Sequence, residues 1–171
     1  MATSITGSGV ATPQLSVSGQ TTLGSTPNVT TPQSMVQLNT ANGYGSTGTM
    51  IRRFTNVVTN QGADITYTDS AANGASFTIN TSGVYAISYC DQMTGTVWLG
   101  ISLNSNQLST IISTINANNV LSAAVTPSAN GGTVVSWIGY LVVGSVIRPH
   151  NSGGTTGTNP NACNFTITRV A

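Results

Sequence analysis

The residues that could act as acids, bases or nucleophiles are few in this chain of 171 residues. Histidine occurs once, at His150, where Arg148 and Pro149 precede it and Asn-Ser-Gly-Gly follows, so we expect it at the exit of a strand into a loop. No Gly-x-Ser-x-Gly elbow or comparable nucleophile motif accompanies it. Glutamate is absent, so the paired carboxylates of a glycosidase are missing as well. The sequence therefore predicts a protein that is not an enzyme and has no catalytic residues.

The three aspartates, Asp64, Asp69 and Asp91, are the candidate metal ligands. Calcium requires several oxygen ligands that converge on one point, whereas these carboxylates are scattered along the chain. Assembly of three chains would bring three copies of one aspartate together and so offer an ion a site. The alternative is that aspartates cap turns, and the pair Asp69-Ser70 fits that role. We predict no metal site and no cofactor.

The two cysteines, Cys90 and Cys163, form neither a disulfide framework nor a Cys/His ligand spacing. If Tyr85 and Tyr89 face the interior of a sandwich, Cys90 points outward, because successive side chains of a strand alternate. Cys163 shares the phase of Phe165 and so points inward. We predict two free thiols.

The balance of charged and apolar residues indicates a folded protein that associates. Only 4% of the residues are charged, with no lysine, whereas 39% are apolar and the net charge is +1. This composition excludes disorder and provides no basic field for nucleic acid, and no apolar run is long enough to span a membrane. A surface with so little charge is poorly protected against association, so we expect an oligomer.

Short apolar runs separated by Gly, Asn, Ser and Pro predict an all-β sandwich or barrel over residues 33–171. No stretch shows a sustained helical period. Within 133–141, Val134 is adjacent to Val135 and Trp137 to Ile138, so this strand needs cover on both faces, and another subunit would supply the second. The predicted strands are 35–38, 50–58, 75–79, 83–90, 97–103, 108–115, 121–125, 133–141 and 164–170.

Residues 1–32 have a different composition, rich in Thr, Ser, Gly and Pro and without charge. They hold too few apolar residues to bury a core of their own, and residues 15–24 resemble the extended segments of phage fibre shafts. We predict an extended attachment arm that adds to a sheet edge of a partner. Its apolar contacts would be Ile5, Val10, Leu15, Val17 and Leu23.

Two further groups of side chains have alternative roles. Arg52 and Arg53 are adjacent on a predicted strand and so point to opposite faces, one to solvent and the other to a neighbouring subunit or its arm. The aromatic residues could line a glycan-binding platform, but their positions inside strands favour packing in the core or an interface. They are Tyr85, Tyr89, Trp98, Trp137 and Tyr140.

The order of several motifs resembles the head domain of the complement C-one-q and tumour-necrosis-factor superfamily. A strand ending in Thr-Asn, Phe54-Thr-Asn-Val-Val-Thr-Asn, is followed by Gly62, Tyr67, Phe77-Thr-Ile and Gly83-Val-Tyr-Ala-Ile-Ser-Tyr. Leu99-Gly-Ile-Ser-Leu-Asn, Leu141-Val-Val-Gly-Ser-Val-Ile and Phe165-Thr-Ile-Thr-Arg-Val are similar to the later strands. Ser145 departs from the family's usual Gly-Asp pair, and no Gly-X-Y stalk is present.

The resemblance implies an antiparallel jelly-roll β-sandwich of about ten strands that is trimeric about the sheet with the first and last strands. Proteins that combine this head with a short Ser/Thr/Gly-rich arm resemble bacteriophage appendage and capsid-decoration proteins. Some family members bind calcium near the trimer axis. The residues expected in the trimer interface or the core are Tyr85, Tyr89, Trp137, Tyr140, Val142 and Phe165.

The functional expectation is a homotrimeric capsid decoration or head-fibre protein that residues 1–32 anchor to another virion protein. The alternative is a receptor-binding tail-fibre tip that recognises a host surface glycan. The N-terminus lacks the basic and apolar regions of a secretion signal, so we expect synthesis in the host cytoplasm and localisation to the virion.

Overall fold

A computed structural model describes residues 34–41, 45–128 and 130–171 of the chain. The predicted arm, 1–32, with Ile5, Val10, Leu15, Val17 and Leu23, lies outside the described residues, so both its role and the boundary at 32 remain predictions. The described part is all-β, as expected, and forms two five-stranded antiparallel sheets packed face to face as a jelly roll.

The ten strands of the described residues divide equally between the sheets. The first sheet has the order β2-β1-β10-β5-β8 and the second has the order β3-β4-β9-β6-β7. Three short 3-10 helices, Ile112–Thr114, Ala117–Asn119 and Pro160–Ala162, lie in the connections. The strands are β1 Met35–Asn39, β2 Asn56–Gln61, β3 Ile65–Thr68, β4 Ser76–Ile79, β5 Gly83–Gln92, β6 Trp98–Leu103, β7 Val120–Val125, β8 Gly132–Leu141, β9 Val146–Asn151 and β10 Asn164–Arg169.

The core lies between the sheets and follows from strict alternation of apolar side chains. Along β5, residues from Gly83 to Asp91 at every second position are buried, because one face of this strand meets the other sheet. Four aromatic rings extend across the core: Tyr67 stacks on Phe77 at 5.3 Å, Phe77 on Phe165 at 4.4 Å, and Tyr89 lies 5.9 Å from Phe165. Such ring pairs contribute roughly 0.5–1.5 kcal/mol each beyond their burial.

The predicted strands 35–38, 75–79, 83–90, 97–103, 121–125, 133–141 and 164–170 correspond to strands of the structure. The predicted strand 50–58 is divided, because Ile51 and Arg52 form single bridges before β2 begins at Asn56. The strand predictions omitted β3 and β9, since β3 has only four residues and β9 contains Arg148-Pro149-His150.

The predicted strand 108–115 is wrong. These residues form a turn and a 3-10 helix that cover the outer face of the second sheet. The apolar residues Leu108, Ile111, Ile112 and Ile115 are spaced by three and four positions, which is the period of a helical turn. The expectation that no stretch shows a sustained helical period still holds, because this one extends over a single turn.

A buried ion pair connects the two sheets at one end of the sandwich. Arg52 Nε donates to Asp91 Oδ2 at 2.7 Å, and both side chains are essentially inaccessible to solvent. Asp91 also accepts hydrogen bonds from the Tyr89 hydroxyl at 3.0 Å and from the Gln92 backbone N–H at 3.0 Å. The adjacent Arg53 points the other way and pairs with Asp69 on the surface, so the expected contact of one arginine with a neighbouring subunit stays a prediction.

A second polar cluster connects the sheets at the opposite end. Ser34 Oγ donates to Asp64 Oδ2 at 2.8 Å and accepts from the Asp64 N–H at 3.0 Å, while Arg169 Nη1 lies 3.3 Å from the same carboxylate. Hydrogen bonds from Thr81 and Ser34, together with Arg169, hold the pKa of Asp64 below its usual value. Gly62 has φ of 78°, and a Cβ at this position would collide with Ser34 Oγ, so glycine is required here.

We predict that Arg52→Met destabilises the fold by about 3–5 kcal/mol, because it leaves the Asp91 carboxylate buried without its countercharge. Urea unfolding at a fixed protein concentration measures the change. Arg53→Met is the matched control and should cost about 1 kcal/mol or less, since its pair with Asp69 is partly solvated. The double variant Arg52→Met/Asp91→Leu should recover much of the loss, and an Arg52→Met variant as stable as the control would contradict this assignment.

Candidate functional site

The single histidine is placed where it cannot act on a substrate from solvent. His150 lies near the end of β9, is 1% exposed, and its Nε2 is 2.9 Å from the Ser102 hydroxyl on β6. Burial lowers the pKa of His150 to about 4, with the charge of Arg148 acting in the same direction. The imidazole is therefore neutral at pH 7 and part of the packing between strand and loop.

Each aspartate forms an ion pair with an arginine instead of the expected turn cap. Asp64 pairs with Arg169, Asp69 with Arg53 and Asp91 with Arg52. In the turn after Asp69 it is the Ser70 hydroxyl that accepts a hydrogen bond, from the Asn73 N–H. Among the described residues, no three His, Cys, Asp or Glu side chains group closely enough to hold a metal ion.

The two cysteines are free thiols with opposite orientations, as their phases in the sequence indicate. Cys163 is fully buried, and burial raises the pKa of its thiol to about 11. Cys90 is half-buried on the outer face of β5, where its thiol donates to the Ala162 carbonyl at 3.2 Å. Gly157 packs directly on the Cys163 sulfur, so the connection before β10 closes over this thiol.

The aromatic residues do not form a shared platform. Tyr85 and Tyr89 are fully buried, and Trp137 packs against the core from β8. Tyr140 and Trp98 are 65% and 37% exposed. Tyr140 lies on β8 in the first sheet and Trp98 on β6 in the second, so the two exposed rings belong to different sheets.

The most distinctive surface feature is an exposed apolar stripe along β8. Every second residue of this strand points away from the core, and these positions pair across to Val84, Ala86, Ser88 and Cys90 of β5. The polar Ser136 lies in the middle. The apolar surface, which we call the β8 stripe, consists of Val134 (60% exposed), Ile138 (68%) and Tyr140 (65%) on the strand, with Val142 (55%) and Val143 just after its end.

The rest of the same sheet face is uncharged. Beyond β5, the outward positions are Asn164, Thr166 and Thr168 on β10, then Met35, Gln37 and Asn39 on β1. These side chains are only partly exposed, and none carries a charge. The outer face of the first sheet therefore combines an apolar edge at β8 with a neutral polar surface at β10 and β1.

The residues predicted in the interface or the core separate into two groups. Tyr85, Tyr89 and Phe165 are buried, and Trp137 is half-buried against them. Tyr140 and Val142 are exposed and belong to the β8 stripe. The prediction did not include Val134, Ile138 or Val143, although counting every second residue of the strand 133–141 would have identified the first two.

A pocket of about 330 Å³ lies beside the buried ion pair, between residues 45–52 and 151–155. Its polar lining is occupied by internal hydrogen bonds: Ser46 donates to the Thr49 carbonyl, Thr49 to the Asn73 carbonyl, and Asn151 Oδ1 accepts from the Gly153 N–H. These bonds stabilise the loops around the pocket.

Comparison with known proteins identifies the fold. No family model matches the chain, and no curated protein matches its sequence. Solved structures of murine APRIL, a tumour-necrosis-factor-family protein, match with TM-scores of 0.54 at pH 8.0 and 0.52 at pH 5.0, at 12% and 11% identity. Each match covers 81% of this chain and 99% of that one. Bushbaby GITRL matches at a TM-score of 0.49 and 11% identity, covering 82% of this chain and 96% of that one.

The likeness to murine APRIL confirms the predicted tumour-necrosis-factor-like jelly roll and, at such low identity, concerns the fold alone. The similar proteins belong to a family of cytokine-like proteins that are not enzymes. Among the described residues no helix is long and apolar enough to cross a membrane.

We predict that both cysteines react with iodoacetamide in denaturant without prior reduction, so that intact mass spectrometry finds two adducts per chain. In the native protein Cys163 should react far more slowly than Cys90, because it is fully buried and each unit of raised pKa lowers its thiolate fraction tenfold. An unlabelled species two mass units lighter than the reduced chain would mean that a disulfide forms.

Proposed function

We propose that this chain is a non-enzymatic structural protein of a bacteriophage particle, a capsid decoration or head-fibre protein that assembles as a homotrimer. Residues 1–32 attach it to another virion protein. The observation that carries the proposal is the β8 stripe, an apolar surface on an otherwise neutral sheet face of a chain with only 4% charged residues.

A second copy of the same chain is the partner that fits this face. Exposed apolar side chains in a row are typical of interaction sites, since burying them releases ordered water. The neutral surface of β10 and β1 can accept an apolar edge without leaving a charge unpaired. When the edge of one copy packs on the face of the next, the contact is heterologous, and closure of such contacts gives a ring.

The virion assignment rests on composition and on the absence of chemistry at the described sites. The neutral Ser/Thr/Asn/Gln surface and the Thr-rich segment 1–32 suit a particle component that is held by extended contacts. The alternative, a tail-fibre tip that binds a host glycan, has less support, because the exposed rings of Trp98 and Tyr140 lie on different sheets.

We predict a mass of three times 17.4 kDa by light scattering, and dissociation to single chains in Ile138→Asp and Tyr140→Asp. Each substitution would place an unpaired carboxylate in the contact, which costs several kcal/mol. The fold should survive, since both side chains are exposed in the single chain, and circular dichroism checks this.

Val125→Asp is the matched control for these variants. Val125 is also exposed, but it lies on β7 of the second sheet, so this variant should remain trimeric. A wild-type chain that stays monomeric at micromolar concentration, or a control that dissociates as readily as Ile138→Asp, contradicts assembly through the β8 stripe.

We also predict that deletion of residues 2–30 leaves a folded trimer with an unchanged circular-dichroism spectrum, because β1 begins at Met35. The same deletion should abolish incorporation into particles, measured by co-sedimentation with virions that lack the native protein. A truncated chain that still binds virions would place attachment in the jelly roll.

A further inference from the structure

The connection between β6 and β7, residues 104–119, folds back over the outer face of the second sheet. Ile112 and Ile115 are buried within it, although neighbouring residues of the same segment are exposed. Ile112 sits on Gly100 of β6, where an added Cβ would lie 2.8 Å from the isoleucine side chain. The segment is thus a cover, and we use this name for residues 104–119.

At its start the cover is held by Asn104, which exchanges two hydrogen bonds with Val146 of β9. Beyond this point it is attached to the sandwich by a small number of hydrogen bonds. The Met50 N–H donates to the Leu108 carbonyl at 2.8 Å, and Ser109 Oγ donates to the Gly48 carbonyl at 3.0 Å. Arg148 Nη1 donates to the Ser105 carbonyl at 3.2 Å. A segment with few buried apolar side chains and few such bonds can open without unfolding of the sheets.

His150 is buried between the second sheet and the cover. Its ring bonds to Ser102 on β6 through Nε2, and its Nδ1 makes no hydrogen bond of normal geometry. The nearby backbone of Thr110 in the cover acts to raise the pKa of the ring and partly offsets the effect of burial. The groups that face the ring are all uncharged. They are Gly100 and Ser102 on β6, Thr110 and Ile112 in the cover, and Ile51, which forms a single bridge with His150. The charged side chain that acts on the imidazole is the cation Arg148 of β9.

We propose that the cover is an acid-sensitive element, which opens when His150 takes up a proton. The imidazolium would be buried beside Arg148, and none of the facing groups named above carries a negative charge to compensate it. Opening of the cover hydrates the ring and removes this cost. Acid thereby exposes Gly100, Ser102 and the apolar side of the cover, while the core between the sheets stays closed.

The size of the effect follows from proton linkage. The pKa of His150 is about 4 in the closed protein and 6.5 when the ring is hydrated. The open form therefore binds the proton more tightly, and the open population rises as pH falls below 6.5. Between pH 7.0 and pH 4.5 the linkage relation gives roughly a 60-fold increase, and the maximum increase over pH 7.0, reached at lower pH, is roughly 240-fold.

Hydrogen exchange followed by mass spectrometry tests the proposal on the full-length protein. Exchange rates at pH 7.0 and pH 4.5, corrected for intrinsic chemistry, should show a loss of protection near 60-fold in the cover, where Thr114 and Asn119 N–H groups are hydrogen-bonded. Peptides from β5 should keep their protection. His150→Gln, which keeps a polar group near Ser102 but cannot be protonated, should show equal protection at both pH values.

Three results would overturn the proposal: equal protection of the wild-type cover at both pH values, parallel loss of protection in β5, or the same acid response in His150→Gln. If that variant does not fold, Arg148→Gln provides the second test. Without the neighbouring cation the pKa of His150 in the closed protein rises, so the ratio of opening at the two pH values should fall below that of the wild type. An unchanged ratio would exclude His150 as the sensor.

Discussion

The ion pair between Arg52 and Asp91 is the interaction on which the architecture of one end of the sandwich depends. Two buried charges are costly to desolvate, and the structure compensates by surrounding the carboxylate with donors. Burial and the adjacent Asp91 raise the pKa of Tyr89 well above its usual value, so its hydroxyl keeps the proton that it donates to Asp91. Arg52 also lies over the ring of Phe54 at 6.0 Å. The pair therefore positions the strand ends and aromatic residues around it.

This use of charge has a consequence for the surface. The three carboxylates are all engaged in pairs with arginines, and Arg148 is turned toward the Ser105 carbonyl of the cover. Little charge remains to keep copies of the chain apart or to attract a charged partner. Apart from the Arg53–Asp69 pair, the surface therefore consists mainly of apolar and neutral polar side chains.

Much of the fold could be predicted from the sequence because seven strands are short apolar runs that lie between turn residues. Two segments, β9 and residues 108–115, were predicted incorrectly for identifiable reasons. In β9, Pro149 and two basic residues conceal a strand that contributes Ile147 to the core. Residues 108–115 resemble a strand in composition although their apolar spacing is helical. Both depend on packing against a particular neighbour, and single-sequence patterns do not contain that information.

The β8 stripe could be predicted from the sequence only in part. Adjacent apolar residues in 133–141 indicate that β8 must be covered on both faces, but which of them faces outward depends on the register with β5. The ion pairs were not predictable, because Arg52 and Asp91 are 39 positions apart and the sandwich topology alone brings them together. The aspartates were therefore expected to cap turns, which is the local role available to an isolated carboxylate.

The outer faces of the two sheets differ in how far the described chain covers them, and this asymmetry bears on function. On the second sheet, Gly100 and Ser102 point outward yet are buried, because residues 104–119 of the same chain cover them. On the first sheet, no described segment covers Val134, Ile138, Tyr140 and Val142, although these side chains are larger and more apolar. Within the described residues, the chain thus covers glycine and serine on one face and leaves a row of apolar side chains open on the other. In the proposed assembly, a closed ring of identical chains would cover this row at every copy, with each β8 stripe buried against the neutral face of the next.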